Sequence, residues 1–85
     1  MTLYNTIQND PELRAKEQRL QRLASHIGWT RYYMEEGVIS QRAGNTRLSV
    51  LRAQNREARQ GSVYERWNQA YRDAARRAMR GTERA

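Results

Sequence analysis

Apolar positions along this chain recur at three- and four-residue intervals and are broken by glycines, which divides the sequence into helical stretches. Met1–Asn9 keeps no sustained period and reads as a lead-in arm, with Leu3, Tyr4 and Ile7 able to fold back as an apolar lid. Asp10-Pro11-Glu12 is a helix start: a capping carboxylate, proline at the first helical position and an acid in the first turn. Leu13, Leu20, Leu23, Ala24 and Ile27 then share one face, and Gly28 is expected to end this helix with His26 in its last turn. Thr30 starts a short second helix, TRYYMEE, which Gly37 stops.

Residues 38–43 either continue that helix after a kink or form a separate turn before Gly44-Asn45. The next helix opens near Thr46 and reaches about Gln60, with Leu48, Leu51, Asn55 and Ala58 along one side, before Gly61 closes it. Ser62 and Glu65 have capping-box spacing. The last helix follows with a stripe of Tyr64, Trp67, Tyr71, Ala74, Ala78 and Met79, and Gly81 ends it. Its three-four alternation suits lengthwise packing against another helix, which the alanines would let approach closely. The only adjacent pair of β-branched aliphatic residues, Val38-Ile39, has no hairpin signal beside it. The pattern predicts an all-α protein of three to four helices: an arm over 1–9, one helical domain over 10–81 and a frayed tail over 82–85.

Length limits the core. A chain of 85 residues buries only ~60–65% of the surface its unfolded form exposes, and no cysteine is present to cross-link it. With no Phe and two Trp, the apolar set is thin enough that a second copy, packed through the last helix, or an obligate partner is the expected completion. Sixteen basic side chains against nine acidic ones leave a net charge of +7, and all but one of the sixteen are arginine. Arginine's planar fork suits phosphates and guanine edges, although arginine-rich helices also arise from high-GC coding and often only solvate a face. No apolar run approaches the ~20 residues of a membrane span, and the first residues lack a signal-peptide pattern. A soluble, cytoplasmic protein without a membrane role is expected.

The stretch Arg22–Gly37, RLASHIGWTRYYMEEG, resembles the helix-turn-helix domains of phage-repressor and Cro-like regulators. Ala24 stands where such units keep a small side chain, Gly28 where the turn needs positive φ, and Leu23, Ile27, Trp29 and Met34 where inner faces pack. The resemblance implies a second helix lying in a DNA major groove, with Arg31 and Tyr32 reaching base edges and Thr30 near a phosphate. The same template laid over Ile39–Ala53 puts Gly44 at the turn, Thr46 at the cap and Val50 inward, although Ser40 and Asn45 fit it less well. Arg47 and Ser49 would then point outward, with Arg52, Arg56 and Arg59 on phosphates and Arg42 a further nucleic-acid-binding candidate. Packing residues favour the first window. Charge favours the second, because Glu35 and Glu36 burden the first whereas only Glu57 opposes five arginines between Val38 and Gln60.

Trp29 and Tyr32-Tyr33 could also stack on unpaired bases, but residues flanking a tight turn more commonly fill the core, and that is the expectation for Trp29 and Tyr33. His26 is the only histidine and makes no metal site without cysteines or paired carboxylates. No nucleophile is placed with a base, and no glycine-rich phosphate loop appears, so neither enzymatic activity nor a cofactor is expected. The preferred expectation is a small regulator binding double-stranded DNA as a homodimer. Its rivals are a phage- or plasmid-type helical protein that binds an acidic protein partner, and an RNA-binding arginine-rich helix.

Overall fold

The computed structural model describes residues 2–84, with side chains through Gly81. It is all helical: α1 (Leu3–Gln8), α2 (Pro11–Glu35), α3 (Gln41–Ala58) and α4 (Ser62–Arg84), with no strand among the described residues. The chain divides into two compact units, one made of 1–17 with 60–85, the other of 18–59. α2 contributes residues to both.

In the first unit, the expected arm is a short helix. The Thr2 hydroxyl accepts the Asn5 amide at 3.1 Å and so caps α1. Ile7 is buried, while Tyr4 stays in solvent, so the apolar lid is realised through Ile7 and not through Tyr4. Asp10 starts α2 as its sequence implies, its carboxylate accepting the amides of Glu12 and Leu13 at 3.0 and 3.3 Å. Partial burial pushes the Asp10 carboxyl up, but those two amides and the Arg66 guanidinium 2.9 Å away outweigh it and hold the pKa below its ordinary value. Arg66 also reaches Glu12 at 3.2 Å.

The aromatic stripe of α4 forms a chain of tilted rings, Tyr64 to Trp67 at 5.6 Å and Trp67 to Tyr71 at 4.6 Å. It meets one acid. Trp67 Nε1 donates to Glu17 at 2.5 Å, and the Tyr71 hydroxyl donates to both carboxylate oxygens at 2.8 Å. Burial first, then the bond and charge of Glu17, push the Tyr71 pKa up to about 12. The capping box at Ser62 is not formed among the described residues. Ser62 is already helical, and the Glu65 amide donates to the Gly61 carbonyl. Gly81 does not stop α4, which continues to Arg84. The side chains of the expected frayed tail, 82–85, lie outside the described residues.

The second unit is an antiparallel helical hairpin. Leu20, Leu23, Ile27, Thr30 and Met34 of α2 are buried or half-buried, as are Gly44, Leu48, Leu51, Asn55 and Ala58 of α3. Both sets alternate steps of three and four, the spacing of two helices packed along their length. The α2 pattern crosses residue 28 without a change of phase. Gly28 is therefore helical, with no positive φ, and the tight turn expected there is absent. The turn expected at Gly44 is absent too: α3 opens at Gln41, capped by the Ser40 hydroxyl on the Ala43 amide at 3.1 Å. A β-carbon at Gly44 would collide with the Sδ of Met34, so the missing side chain permits a close approach near the bend.

The connection between the helices comes at Gly37, as its sequence position implies. Its φ of +72° lets the Gly37 amide return to the Met34 carbonyl (3.2 Å) and the Val38 amide to the Tyr33 carbonyl (2.9 Å). This is the paired closure of a glycine-terminated helix. α3 is closed instead at Arg59, whose amide donates to the Asn55 and Arg56 carbonyls at 3.2 Å, and Gly61, with φ +94°, follows before α4.

Candidate nucleic-acid interface

Thr30, expected as a helix cap beside a phosphate, is only 2% exposed. Its hydroxyl donates to the His26 carbonyl at 2.7 Å, which satisfies the polar atom locally and lets threonine occupy a core position. It is unavailable to a ligand. Arg31 and Tyr32 are exposed on α2, but on a helix that has no separate bracing helix before it. Ala24 and Val50, expected at helix contacts, are both exposed. Neither helix-turn-helix window is built as its spacing implied.

What α3 builds is a stripe. Arg42, Asn45, Ser49, Arg52 and Arg56 recur at steps of three and four on its exposed side. At 100° and 1.5 Å per residue they fall within an arc of about 80° and run for about 21 Å. Glu57, the helix's one carboxylate, lies outside that arc, and Arg59 follows as the C-terminal cap. Asn45 belongs to this face although it counted against the second window in sequence. Once α3 begins at Gln41, its place follows from period alone.

Arg47 projects from the opposite flank of the buried face. It lines a groove of about 380 Å³ with Arg19, Arg22 and His26 of α2, over an apolar floor of Leu23 and Leu51 and beside Gln54. No lining residue is acidic. Among the described residues none of these three guanidinium groups enters an ion pair. Such a concentration of like charge costs repulsion that a nearby anion would relieve. Arg19, Arg22 and His26 were not singled out as site residues in sequence. The signal that finds them is their spacing of three and four on a helix left uninterrupted at Gly28.

The aromatic residues depart most from expectation. Trp29 is 56% exposed, Tyr32 48% and Tyr33 38%. The indole meets Tyr32 edge-on (5.7 Å, 86°) and Tyr33 near-parallel (5.8 Å, 29°). With no tight turn at Gly28 to cover, these rings are not needed in the core. Beside them is a cleft of about 500 Å³ lined by Ser25, Gly28, Trp29 and Tyr32.

Fold and surface together define an all-α protein with an arginine stripe, a cationic groove and an uncovered aromatic cluster. Comparison with family models, curated proteins and solved structures found no match. Among the described residues no group of three or more His, Asp or Glu side chains is placed to hold a metal ion, and no helix is long and apolar enough to cross a membrane.

Proposed function

We propose that this protein is a non-enzymatic nucleic-acid-binding module that grips duplex DNA through the exposed stripe of α3. One observation carries the reading: Arg42, Arg52 and Arg56, with Asn45 and Ser49 between them, share a solvent face that contains no carboxylate. Guanidinium, amide and hydroxyl groups are the side chains that bind phosphate oxygens, and such contacts supply affinity without requiring a helix-turn-helix. Arg59 and the groove at Arg47 extend the positive surface. A DNA partner would place the protein in the cytoplasm.

Binding of duplex measured across a salt series tests this. Each neutralised phosphate contributes about 0.9 to the slope of log affinity against log salt, so Arg52→Ala with Arg56→Ala is expected to lower the slope by about 1.8. A slope near zero for the parent, or one unchanged by the double substitution, refutes the reading.

A homodimer formed along α4 accompanies this proposal. Tyr71 is engaged by Glu17, but Met79, on the same stripe, is 64% exposed and open to a second copy. Sedimentation should show a dimer that Met79→Arg converts to monomer; a parent that is already monomeric rules the dimer out.

A further inference from the structure

Gly28 is unexplained by the fold. Its backbone is helical, no φ requirement holds it there, and a β-carbon would meet nothing within 4 Å. A glycine inside a helix costs about 1 kcal/mol relative to alanine, and here no packing gain offsets it. What the missing side chain does leave is a bare patch of helix backbone beside Ser25 and below Trp29 and Tyr32, the cleft described above. From this juxtaposition we infer that Gly28 and Trp29 form a stacking site for an unpaired nucleobase, whose flanking phosphates run into the groove of Arg22, His26 and Arg47. This rests on the nucleic-acid reading and adds a ligand class to it, an unpaired strand.

The geometry selects the seat. Trp29 and Tyr33 are only 5.8 Å apart, too close to admit a base between them, since each stacking interval is about 3.4 Å. The base therefore lies on the free face of the indole, over Gly28, with Tyr32 standing nearly perpendicular as the wall. Charge selects the direction. Glu35 and Glu36 follow Tyr32 at the C-terminal end of α2, where the helix dipole is also negative, so phosphates are repelled there. Towards the N-terminus lie His26 and Arg22, one and two turns from the indole, and across from them Arg47. A planar ring carrying an anion on one side matches this layout, because aromatic stacking joined to a cationic track is how unpaired strands are held. An uncharged apolar partner would leave the groove's charge unanswered.

The test uses the full chain carrying Trp67→Phe, so that Trp29 alone reports, and an oligothymidylate of about 12 nucleotides beside a duplex of the same length. The oligothymidylate is expected to quench the indole emission. Trp29→Ala, with binding followed by a label on the oligonucleotide, is expected to weaken single-strand affinity about five- to a hundredfold. Gly28→Leu should do likewise by filling the cleft, while its melting temperature does not fall and duplex affinity is kept. Arg52→Ala with Arg56→Ala should show the reverse bias. If Trp29→Ala and Gly28→Leu bind the oligothymidylate as tightly as the parent while duplex binding persists, the stacking site is wrong and the α3 reading stands. If the parent binds neither probe, both are wrong.

Discussion

Replacing Gly28 by alanine separates the continuous helix from the tight turn by the sign of a single stability change. In the structure the position lies in the interior of α2 with helical backbone, and the added methyl group enters open space. A single contribution decides the sign. Alanine exceeds glycine in helix propensity by about 0.8–1.0 kcal/mol, and that difference already contains the larger entropy glycine loses on folding. No clash or strain subtracts from it. Gly28→Ala should therefore stabilise the protein by about 1 kcal/mol, which for a chain of this size is a rise of roughly 4–8 °C in melting temperature. Thermal and urea unfolding followed by far-ultraviolet circular dichroism measures it, and the urea midpoint should rise by roughly 0.5–1 M if the slope is 1–2 kcal/mol/M. A turn with positive φ at residue 28 would give the opposite result, because a β-carbon in the left-handed region costs about 1–2 kcal/mol. A fall in melting temperature would refute the uninterrupted α2. It would also remove the physical basis for the cleft, since Gly28 would then be explained by the backbone.

Gly37→Ala should behave oppositely, destabilising by about 1–2 kcal/mol, because φ is +72° there and the closure onto the Met34 and Tyr33 carbonyls depends on it; the same unfolding experiments check this. Leu48→Ala, at a buried position of α3, should cost about 2–5 kcal/mol in urea unfolding, whereas Val50→Ala, exposed two residues on, should change it by less than about 0.5. Tyr71 should be the slowest tyrosine to ionise in an ultraviolet pH titration, with a pKa of about 12, and Glu17→Gln should bring it down by removing the adjacent negative charge. Its raised value favours the protonated phenol in the fold. The stability it contributes is thus complete below pH 10 and declines as pH rises towards 12, visible as alkaline unfolding that Glu17→Gln makes less steep.

What could be read from the residues divides along a physical line. Signals carried by a few neighbouring atoms were legible: Asp10-Pro11-Glu12 starts α2, and Gly37 stops it. The all-α class was legible as well, because helical period without strand alternation persists through most of the chain. Gly28 and Gly44 misled because glycine has three separate uses, namely positive φ, close helix approach and bare surface, and local sequence does not distinguish them. The arbiter was phase. A tight turn between helices resets the angular position of the apolar stripe, yet Leu20, Leu23, Ile27, Thr30 and Met34 step by three and four straight through residue 28.

Thr30 hid this continuity. It is polar by composition, but its hydroxyl is satisfied within its own helix, so at an inner position it counts as core. Once it is counted, Trp29, Tyr32 and Tyr33 fall off the buried stripe and must face solvent, and Arg19, Arg22 and His26 align beside them. The aromatic cluster, the cationic groove and the unexplained glycine are thus consequences of one fact, that α2 does not turn at Gly28. That places the binding question on the outer surface of a helical hairpin, where under the proposed reading affinity would come from charge and ring stacking and would not require a recognition helix.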